Sequence, residues 1–519
     1  MTRRAARYSV RLLVVGAFSM IVSASTALGQ TAQAPPPSIV LILMDDLGYS
    51  DIGSFGVPDA KTPNIDRLAR EGVKLTDFYA NAANCSPTRT GFITGRYQQR
   101  FGIEQPLGSS GTAGLLPSET SLPRLLQQRG YATALIGKWH LGSRPEFHPN
   151  KHGFDEFWGF LAGAHDYYDP RDLYHNDQPA TMSGYLTDEL TSQANAFIAA
   201  HQRGPFFIEV AYNATHWPFQ PPNLPPDKRA RPDLLHDGTR ADYVAMLESA
   251  DRGVGEILNQ LDRLQLTRNT LVVFTSDNGG EWLSHNAPMF NRKSTLWEGG
   301  IRVPALLRWP AELPARAVSK QVGITMDLTA SFLAAAGVTP PASYQPDGIN
   351  LLPMLKERRT VDRTLFWRIK STARDQKAVR RGQWKYMRDG VGTIDGVHEF
   401  LFDLAQDVTE RQDQSVTHIP MLAEFRKLVA DWEASVDAGK LVPARSGAPG
   451  VLGASARSTK RQLGLRQHAG VSPGCPGDSC HRLTGRLKLA PEALLSYPLT
   501  SSSAASLCPH AWCGAAAVR

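Results

Sequence analysis

Short apolar runs alternate with longer helical patterns along the first half of the chain. The run SIVLILM at residues 38–44 precedes two aspartates, and a continuous run of this kind is typical of a strand buried on both faces of a parallel sheet. Further runs of this type lie at 131–137, 206–211 and 270–275. Helical periodicity fills stretches between them, at 121–129, 186–201 and 240–264. The alternation predicts an α/β fold built on a layered sheet.

One more helix is predicted at residues 62–73 from its end signals. Thr62 is of a type that favours the N-cap position, and Pro63 suits the first helical turn. Gly72 lies where such a helix would end. The helix would follow the first buried strand.

The pattern changes after about Pro353. Short strand-like segments separated by turns precede a helical stretch at 419–436, and they lie at 364–369, 376–381, 384–388 and 399–403. They predict a small antiparallel sheet with a helix, packed against the large domain. The predicted organisation is therefore a large α/β domain at 35–353 and a small C-terminal subdomain at 354–439.

The two ends of the chain differ from this body. Residues 1–34 are predicted to be a signal peptide and lead-in, because four arginines accompany an apolar run at 12–22 that is too short to span a bilayer. We therefore expect an exported protein, periplasmic or secreted, without stable membrane insertion. Residues 440–519 are rich in Ser, Ala, Gly, Pro and Arg without any sustained period, which predicts a disordered tail.

The tail contains four cysteines, Cys475, Cys480, Cys508 and Cys513. Their spacing is not a usual zinc pattern, so adventitious disulfides or a tail from an altered reading frame explain them better than a metal site.

The net charge of +7 belongs to the ends of the chain. Residues 1–37 carry four arginines and no acid, and residues 440–519 carry ten Lys or Arg against two Asp or Glu. Subtracting +4 and +8 from the total leaves −5 for the stretch between them. Because that stretch shows no basic patch interleaved with aromatic residues, we expect no nucleic-acid partner.

Polar clusters follow the predicted strands at the points where those strands end. In open α/β sheets, ligands collect beyond the carboxyl ends of the strands. The clusters are Asp45-Asp46, Lys138-x-His140, His216 and Asp277-Asn278. Either acidic pair alone is also typical of a solvated turn. Together they supply three carboxylates and an amide, hard oxygen ligands that suit Ca²⁺ better than Mg²⁺ or Mn²⁺.

The first 474 residues contain one cysteine, Cys85. It opens the sequence Cys-Ser-Pro-Thr-Arg at 85–89, and Thr-Gly-Arg follows at 94–96. A thiol beside an arginine is a candidate nucleophile, because a nearby cation favours the charged form. Without further context, a lone cysteine is more often a small buried hydrophobe.

These motifs resemble the type I, formylglycine-dependent sulfatases, a branch of the alkaline phosphatase superfamily. Among them the chain is most similar to the arylsulfatase A and N-acetylgalactosamine-6-sulfatase group. The resemblance covers about residues 38–437, and besides the Cys85 segment it includes LILMDDLGYSDIGSFG, IGKWHLG, ATHWP, TSDNGGEW and NRKSTLWEGGIRVP. It implies a large mixed, mostly parallel sheet sandwiched by helices, and the hydrolysis of an aryl or carbohydrate sulfate ester.

The resemblance also implies a nucleophile and a metal site. A maturation enzyme would oxidise Cys85 to formylglycine, whose hydrated gem-diol attacks sulfur and then expels sulfate when its second hydroxyl loses a proton. Calcium would be bound by the converted Cys85 together with Asp45, Asp46, Asp277 and Asn278.

The remaining roles concern charge and protons. Arg89 would stabilise the diol, and Lys138 and Lys293 would contact the sulfate oxygens. His216, with Lys293, would protonate the departing alcohol. His140 would be the base that acts on the second hydroxyl, since histidine titrates near neutrality.

Aromatic residues flank the motifs and would either line a substrate mouth or pack in the core. They are Trp139, Trp158, Tyr167, Tyr168, Trp217, Trp282 and Trp297. The substrate itself, a sulfated glycan or a small sulfate ester, is left open.

Two other functions fit parts of the pattern. Phosphonate monoester and phosphodiester hydrolases of the same superfamily share the cysteine signature but tend to favour a transition metal such as Mn²⁺. A non-catalytic relative that binds sulfated sugars would have lost site residues, whereas every site position is filled here. A host without the converting enzyme would leave Cys85 unmodified.

Overall fold

The computed structural model describes residues 35–438, except for 110, 119, 170, 230–237, 372–373 and 391–395. The predicted signal peptide and the tail with its four cysteines lie outside the described residues. None of the described helices is long and apolar enough to cross a membrane.

The described part of the chain contains sixteen strands and ten α-helices. Strands β1 to β16 are Ser38–Met44, Val73–Leu75, Phe78–Tyr79, Ala132–Lys138, Glu156–Phe160, Leu173–His175, Gln178–Ala180, Phe206–Ala211, Thr270–Ser276, Ala305–Arg308, Ala317–Ser319, Gly323–Ile324, Thr364–Lys370, Asp375–Arg381, Trp384–Asp389 and His398–Asp403. Helices α1 to α10 are Pro63–Glu71, Cys85–Thr94, Leu122–Gln128, Leu186–Ala200, Pro226–Arg229, Arg240–Arg263, Glu298–Ile301, Thr325–Ala335, Leu352–Glu357 and Ile419–Asp437.

A ten-stranded mixed sheet forms the centre of the large domain. Its strand order is β11-β2-β10-β9-β1-β8-β4-β5-β6-β7. The central strands β9, β1, β8, β4 and β5 are parallel, and antiparallel pairs occur towards both edges. The predicted α/β fold with a large, mostly parallel sheet is confirmed.

Both faces of the sheet are covered by helices, as the continuous apolar runs predict. Alternate residues of β1 enter opposite cores, with Leu41 in one and Ile42 in the other. Helices α2, α3, α8 and α9 contribute to the first core, and α1, α4 and α6 contribute to the second. A strand between two helical layers has no solvent-facing side, which explains the absence of polar alternation in its sequence.

Helix α1 begins and ends close to the predicted positions, but its cap differs from the prediction. The Thr62 side chain does not cap the helix. It accepts a hydrogen bond from the backbone N–H of Gly53 instead. The carboxylate of Asp251, on α6, accepts hydrogen bonds from the backbone N–H groups of Asn64 and Ile65. The cap therefore comes from a residue distant in sequence.

The predicted small antiparallel sheet and its helix are also confirmed. Strands β13 to β16 form an antiparallel meander, and α10 packs against it through Leu422, Phe425 and Val429. The boundaries of the two domains stay predictions.

A buried group of charges connects this small sheet to the large domain. We call it the subdomain ion network, and it consists of Asp77, Glu298, Arg302, Arg380, Lys385 and Glu410. Lys385 Nζ lies 2.9 Å from Glu298 Oε1 and 2.7 Å from Glu410 Oε1. Because neither Lys385 nor Glu298 has exposed side-chain surface, the network holds the two parts in a defined relation.

Candidate active site

The predicted site residues meet at one edge of the central sheet. Strands β9, β1, β8 and β4 are neighbours in that order and all run parallel, so their carboxyl ends lie side by side. These ends and the segments that follow carry Asp45, Asp46, Asp277, Asn278, Lys138, His140 and His216. All seven side chains are buried.

Cys85 enters this site at the beginning of α2. Its thiol is 2% exposed, and Sγ lies 3.5 Å from Asp45 Oδ1. Burial raises the pKa of the Cys85 thiol, and the Asp277 carboxylate adds to that increase. An unmodified Cys85 is thus held as a neutral thiol, which is a weak nucleophile.

Each of the three aspartates is paired with one cation. Lys138 Nζ lies 2.5 Å from Asp45 Oδ2, and Lys293 Nζ lies 2.7 Å from Asp46 Oδ2. In the third pair, Nε and Nη2 of Arg89 donate to Asp277 Oδ2 at 3.0 and 2.9 Å. Three carboxylates and three cations balance one another, so the site lacks a net negative charge of its own.

Two side-chain oxygens are left over after this pairing. Asp277 Oδ1 and Asn278 Oδ1 are buried and have no hydrogen-bond partner among the described residues. The amide of Asn278 is oriented by its nitrogen, which donates to Asp46 Oδ1 at 2.7 Å. Buried oxygens without a donor are costly, and a cation bound between them would remove that cost.

A group of potential metal ligands lies at the same strand ends, although it includes His216 and leaves out Asp277. Ligand atoms of Asp45, Asp46, Cys85 and His216 lie within 4.8 Å of one another. Burial and the charge of Asp45 raise the pKa of Asp277 to about 6, although Arg89 opposes this. A carboxylate destabilised by burial and by a neighbouring acid is one that a cation would stabilise.

The hydrogen bonds of His140 indicate its tautomer. Nε2 lies 2.9 Å from the carbonyl oxygen of Leu107, so Nε2 carries the hydrogen and Nδ1 keeps its lone pair. Nδ1 is buried without a partner. Burial and the charge of Lys138 lower the pKa of His140 well below its usual value. His140 is therefore a neutral imidazole with a free basic nitrogen.

The backbone near His140 allows its imidazole ring to pack closely against a neighbouring segment. His140 has a positive φ of 58°, which non-glycine residues adopt rarely. A Cβ atom on Gly163 would lie 2.5 Å from His140 Nε2, so only glycine leaves room for the ring.

His216 is oriented in a comparable way. Nδ1 lies 2.6 Å from the carbonyl oxygen of Trp217 and donates to it, and Nε2 lies 3.6 Å from Asp46 Oδ2. Burial lowers the pKa of His216 to about 3; the charge of Asp46 opposes this decrease, and the charges of Lys293 and Lys138 add to it. The ring is neutral unless an anion joins the site.

Comparisons with known proteins identify the family. A family model described as Sulfatase matches residues 37–338. The chain belongs to the sulfatase family. A second model, described as N-sulphoglucosamine sulphohydrolase, C-terminal, matches residues 287–429. The protein is therefore an enzyme, a sulfuric ester hydrolase.

Individual relatives agree with this assignment. Human N-acetylgalactosamine-6-sulfatase is 37% identical over 372 residues, which cover 66% of this sulfatase and 70% of the relative. The solved structure of Ps i-CgsB in complex with k-i-k-neocarrahexaose has a TM-score of 0.71 and 31% identity, and the match covers 79% of this chain and 95% of that one. The phosphonate monoester hydrolase of Agrobacterium radiobacter has a TM-score of 0.57 at 20% identity, covering 77% and 96% of the two chains, which shows the fold alone.

Two buried acids of the sulfatase escaped the sequence analysis. Glu209 lies on β8, and burial raises its pKa to about 7 against the charge of Arg89. A single acid inside the apolar run FFIEVA is the signal that could have identified it. Asp51 accepts hydrogen bonds from Tyr243 Oη, Arg240 Nη1 and the backbone N–H of His285, and it ties the loop after β1 to neighbouring segments.

Three of the seven flanking aromatic residues belong to the core, and Tyr168, Trp217 and Trp297 are partly buried against it. Trp139, Trp158 and Tyr167 are buried. Trp282 is 43% exposed, so it is the member of this group with the most open surface. Of the two alternatives, packing in or against the core describes six of the seven rings, and Trp282 is the exposed one.

Proposed function

We propose that this sulfatase removes sulfate from a carbohydrate sulfate ester, with a formylglycine formed from Cys85 and a bound calcium ion. The observation that carries the proposal is the pair of buried, unpartnered oxygens on Asp277 and Asn278. These oxygens lie at the carboxyl ends of the central strands, where Cys85 also enters the site. Each of the three aspartates there is already paired with a cation. A charge-balanced site with spare oxygen ligands is suited to a divalent ion that will also hold an anionic substrate.

Calcium is proposed because the spare ligands are oxygens. Asp45, Asp46, Asp277 and Asn278 would hold the ion, and it would supply positive charge for sulfate oxygens and for the nucleophile. Lys138 and Lys293 each hold one oxygen of an aspartate. The other oxygens face the predicted ligands, since Asp45 Oδ1 contacts Cys85 Sγ and Asp46 Oδ1 accepts from the Asn278 amide nitrogen. The ligand oxygens are thereby preorganised by the protein.

The proposed conversion of Cys85 agrees with its surroundings. Formylglycine, as its hydrate, would supply one hydroxyl for attack and a second for the release of sulfate. Because Cys85 is 2% exposed, the maturation enzyme must reach it before the chain has folded. Arg89 would then stabilise the hydrate, since its guanidinium is held by Asp277 and by the carbonyl oxygen of Lys138.

The sulfate group would be held by Lys138 and Lys293. Each ammonium group has three donors, and the contact with an aspartate occupies one of them. The remaining donors are available to sulfate oxygens. Attraction to Lys293, which would lie beside the departing oxygen, would increase in the transition state as negative charge moves to that oxygen.

The two histidines would divide the proton transfers. His140 is suited to the base role because its free Nδ1 stays unprotonated well into the acid range. His216 is suited to the acid role only when protonated, and its pKa of about 3 would have to rise. The negative charge of a bound sulfate ester provides the physical cause of such a rise.

The substrate is proposed to be a sulfated glycan. The human relative is named for a sulfated sugar, and the solved structure of Ps i-CgsB contains a k-i-k-neocarrahexaose. Both are at least 31% identical to this chain. We further propose that residues 1–34 direct export, so that the enzyme meets this substrate in the periplasm or outside the cell.

The test combines mass spectrometry with metal analysis. Protein purified from its own host should show the aldehyde in place of the thiol in the peptide that contains Cys85, and about one calcium per chain. It should hydrolyse 4-nitrophenyl sulfate and sulfated oligosaccharides faster than bis-4-nitrophenyl phosphate. An active enzyme with an unmodified Cys85, or one that holds manganese and prefers the phosphodiester, would contradict the proposal.

A further inference from the structure

The structure contains an open cleft of about 590 Å³ whose lining includes none of the proposed catalytic residues. It is linked to them by Glu281, which lines the cleft and is close enough to Asp46 and Lys293 for their charges to act on it. One wall is formed by residues 281–292, the segment that separates Asn278 from Lys293. The opposite wall is formed by Thr409 and Arg411, which follow the last strand of the small sheet. A volume of this size is typical of ligand sites, and both parts of the molecule contribute to it.

The first wall is held in place by hydrogen bonds. Asn286 is buried, and its side chain both accepts from the N–H of Gly280 and donates to the carbonyl oxygen of Gly280, each at 3.0 Å. The N–H of Lys293 donates to the same carbonyl. The N–H of His285 donates to the buried Asp51. The wall is therefore built before any ligand arrives.

Two aromatic rings are exposed on this wall. Trp282 is 43% exposed and Phe290 is 44% exposed. Trp282 contacts Phe219 in an edge-on arrangement with ring centroids 5.9 Å apart, and Phe290 contacts Trp297 in the same way at 4.9 Å. The rings are thus supported from behind while part of each stays open, as in sites where sugars stack on aromatic faces.

The charge of the cleft is positive by one unit. It contains two arginines, Arg292 and Arg411, and one acid, Glu281. Arg292 Nε lies 3.9 Å from Glu281 Oε1, so these two charges offset each other. Arg411 is exposed, and its guanidinium has neither an ion pair nor a hydrogen-bond partner within the described ranges.

The loop that presents Arg411 is rigidly anchored. Asp407 accepts hydrogen bonds from the backbone N–H groups of Thr409, Arg411 and Gln412. The neighbouring Glu410 points inward, where it accepts from the N–H of Glu298 at 2.6 Å and contacts Lys385. The backbone of Arg411 is therefore fixed on the rim of the cleft, and its guanidinium is available to pair with an anion that enters.

We propose that this cleft is a second sugar subsite, which binds an anionic residue next to the sugar that loses its sulfate. The ring of that residue would stack on Trp282, and its sulfate or carboxylate group would pair with Arg411. The inference rests on the proposed function, because it takes the glycan to be the same molecule whose sulfate is removed. One unpaired positive charge matches one additional anionic group.

The test compares the full-length, matured enzyme with Arg411→Gln and Trp282→Ala. The substrates are size-defined chondroitin 6-sulfate and κ-carrageenan oligosaccharides, from disaccharide to hexasaccharide, and 4-nitrophenyl sulfate. For the preferred oligosaccharide, the ratio of its kcat/KM to that for 4-nitrophenyl sulfate should fall about fivefold in Arg411→Gln and about tenfold in Trp282→Ala. Arg203→Gln, an exposed arginine at the opposite edge of the sheet, is the matched control and should behave as wild type.

Salt provides a second readout that a general loss of structure would not change. The KM of the wild-type enzyme for the oligosaccharide should rise between 0.05 and 0.5 M NaCl, because salt screens the pair with Arg411, and Arg411→Gln should show a weaker rise. Equal ratios and equal salt dependence in Arg411→Gln and Arg203→Gln would overturn the subsite.

Binding separates failure of the subsite from failure of the proposed function. Calorimetric titration of the Cys85→Ala protein with the hexasaccharides requires no turnover. The double variant Cys85→Ala, Arg411→Gln should bind the hexasaccharide about fivefold more weakly than Cys85→Ala alone. This result is expected even if the wild-type enzyme hydrolyses none of the sulfate esters tested. If hydrolysis occurs but this binding is unchanged, the proposed function stands and the subsite is wrong.

Discussion

Two buried clusters in this sulfatase have the same charge inventory but different surroundings. The catalytic cluster contains Asp45, Asp46 and Asp277 with Lys138, Lys293 and Arg89, and the subdomain ion network contains Asp77, Glu298 and Glu410 with Lys385, Arg302 and Arg380. Each is a set of three acids and three bases, largely shielded from water. A count of charges therefore does not distinguish a catalytic site from a structural one.

The two clusters differ in the side-chain oxygens that remain without a partner after acids and cations have paired. In the network, Glu298 contacts Lys385, Tyr79 and Arg302, and Asp77 contacts Arg380 and Thr76. Glu410 Oε1 has no hydrogen bond, but it lies 2.7 Å from Lys385 Nζ, so every carboxylate oxygen of the network has a cation or a donor beside it. In the catalytic cluster, Asp277 Oδ1 has no partner among the described residues, and the same holds for Asn278 Oδ1. Leftover acceptors at a buried site are a stronger indication of function than buried charge itself.

The largest expected effect comes from removing the nucleophile. Cys85→Ala should reduce kcat by about 10⁴-fold or more, because no other side chain can replace the converted cysteine. The thermal midpoint should change little, since the substitution removes one buried sulfur. Hydrolysis of 4-nitrophenyl sulfate and calorimetric melting measure the two effects. Residual activity within tenfold of wild type would show that another residue attacks sulfur.

A matched pair of substitutions tests the comparison directly. Asp277→Asn should lose calcium and reduce kcat by about 10³-fold, because it removes a charged ligand from the catalytic cluster. Asp77→Asn, in the network, should keep the calcium content and most of the activity, but lower the free energy of unfolding by about 2 kcal/mol. Elemental analysis and chemical denaturation read out both variants. The distinction between the clusters would be lost if Asp77→Asn also released the metal.

Removing the central cation of the network should destabilise the protein without changing its chemistry. Lys385→Met leaves Glu298 and Glu410 buried without their shared partner, and we expect a loss of about 3 kcal/mol in the free energy of unfolding. With 4-nitrophenyl sulfate, which does not reach Arg411, the folded fraction should retain kcat within about twofold, since the ion pairs of Lys385 are with Glu298 and Glu410 and with none of the proposed catalytic residues. Urea titration and activity per folded molecule measure this. A large fall in kcat for the folded enzyme would indicate that the network also positions catalytic groups.

The smallest effect concerns pH. A histidine must be neutral to act as a base. Burial and the charge of Lys138 lower the pKa of His140 well below 6.5. We therefore expect kcat/KM to stay constant as the pH falls through 6.5 and to decline only at lower pH. His140→Gln should reduce kcat/KM by about 10²-fold and remove this acid limb. His201→Gln, a histidine packed on Phe197, is the control that should keep it. An acid limb centred at 6.5 or above in the wild type would exclude His140 as the base.

Much of the fold follows from local patterns. The strand at 206–211 and the helix that begins at Arg240 are observed almost as predicted, because continuous apolar runs and helical periodicity report burial directly. The segment between Pro145 and Asp177 was not predicted, and it contains β5 and β6. Strand β5 has five residues and β6 has three, and a short apolar run such as EFWGF cannot be assigned to a strand or a helix by its periodicity alone.

The cap of α1 illustrates the same limit. Thr62 is of a residue type that favours the N-cap position, yet its side chain does not cap the helix. Asp251 binds the helix start instead, although it lies 187 residues after Asn64 in the chain. Tertiary contacts can override a local preference that is worth only about 1 kcal/mol.

The sequence by itself determined which chemical groups this sulfatase possesses and in what order along the chain the strands that carry them occur. Motifs around Cys85, Asp45 and Asp277 were sufficient to predict the family, because they are local and specific. Only the tertiary structure decided which oxygens stay unpartnered, that Cys85 is enclosed, and that Arg411 and Trp282 line the same cleft. The reason is physical: hydrogen bonding and burial depend on distances between segments that can be more than 200 residues apart, as for Asp46 and Lys293.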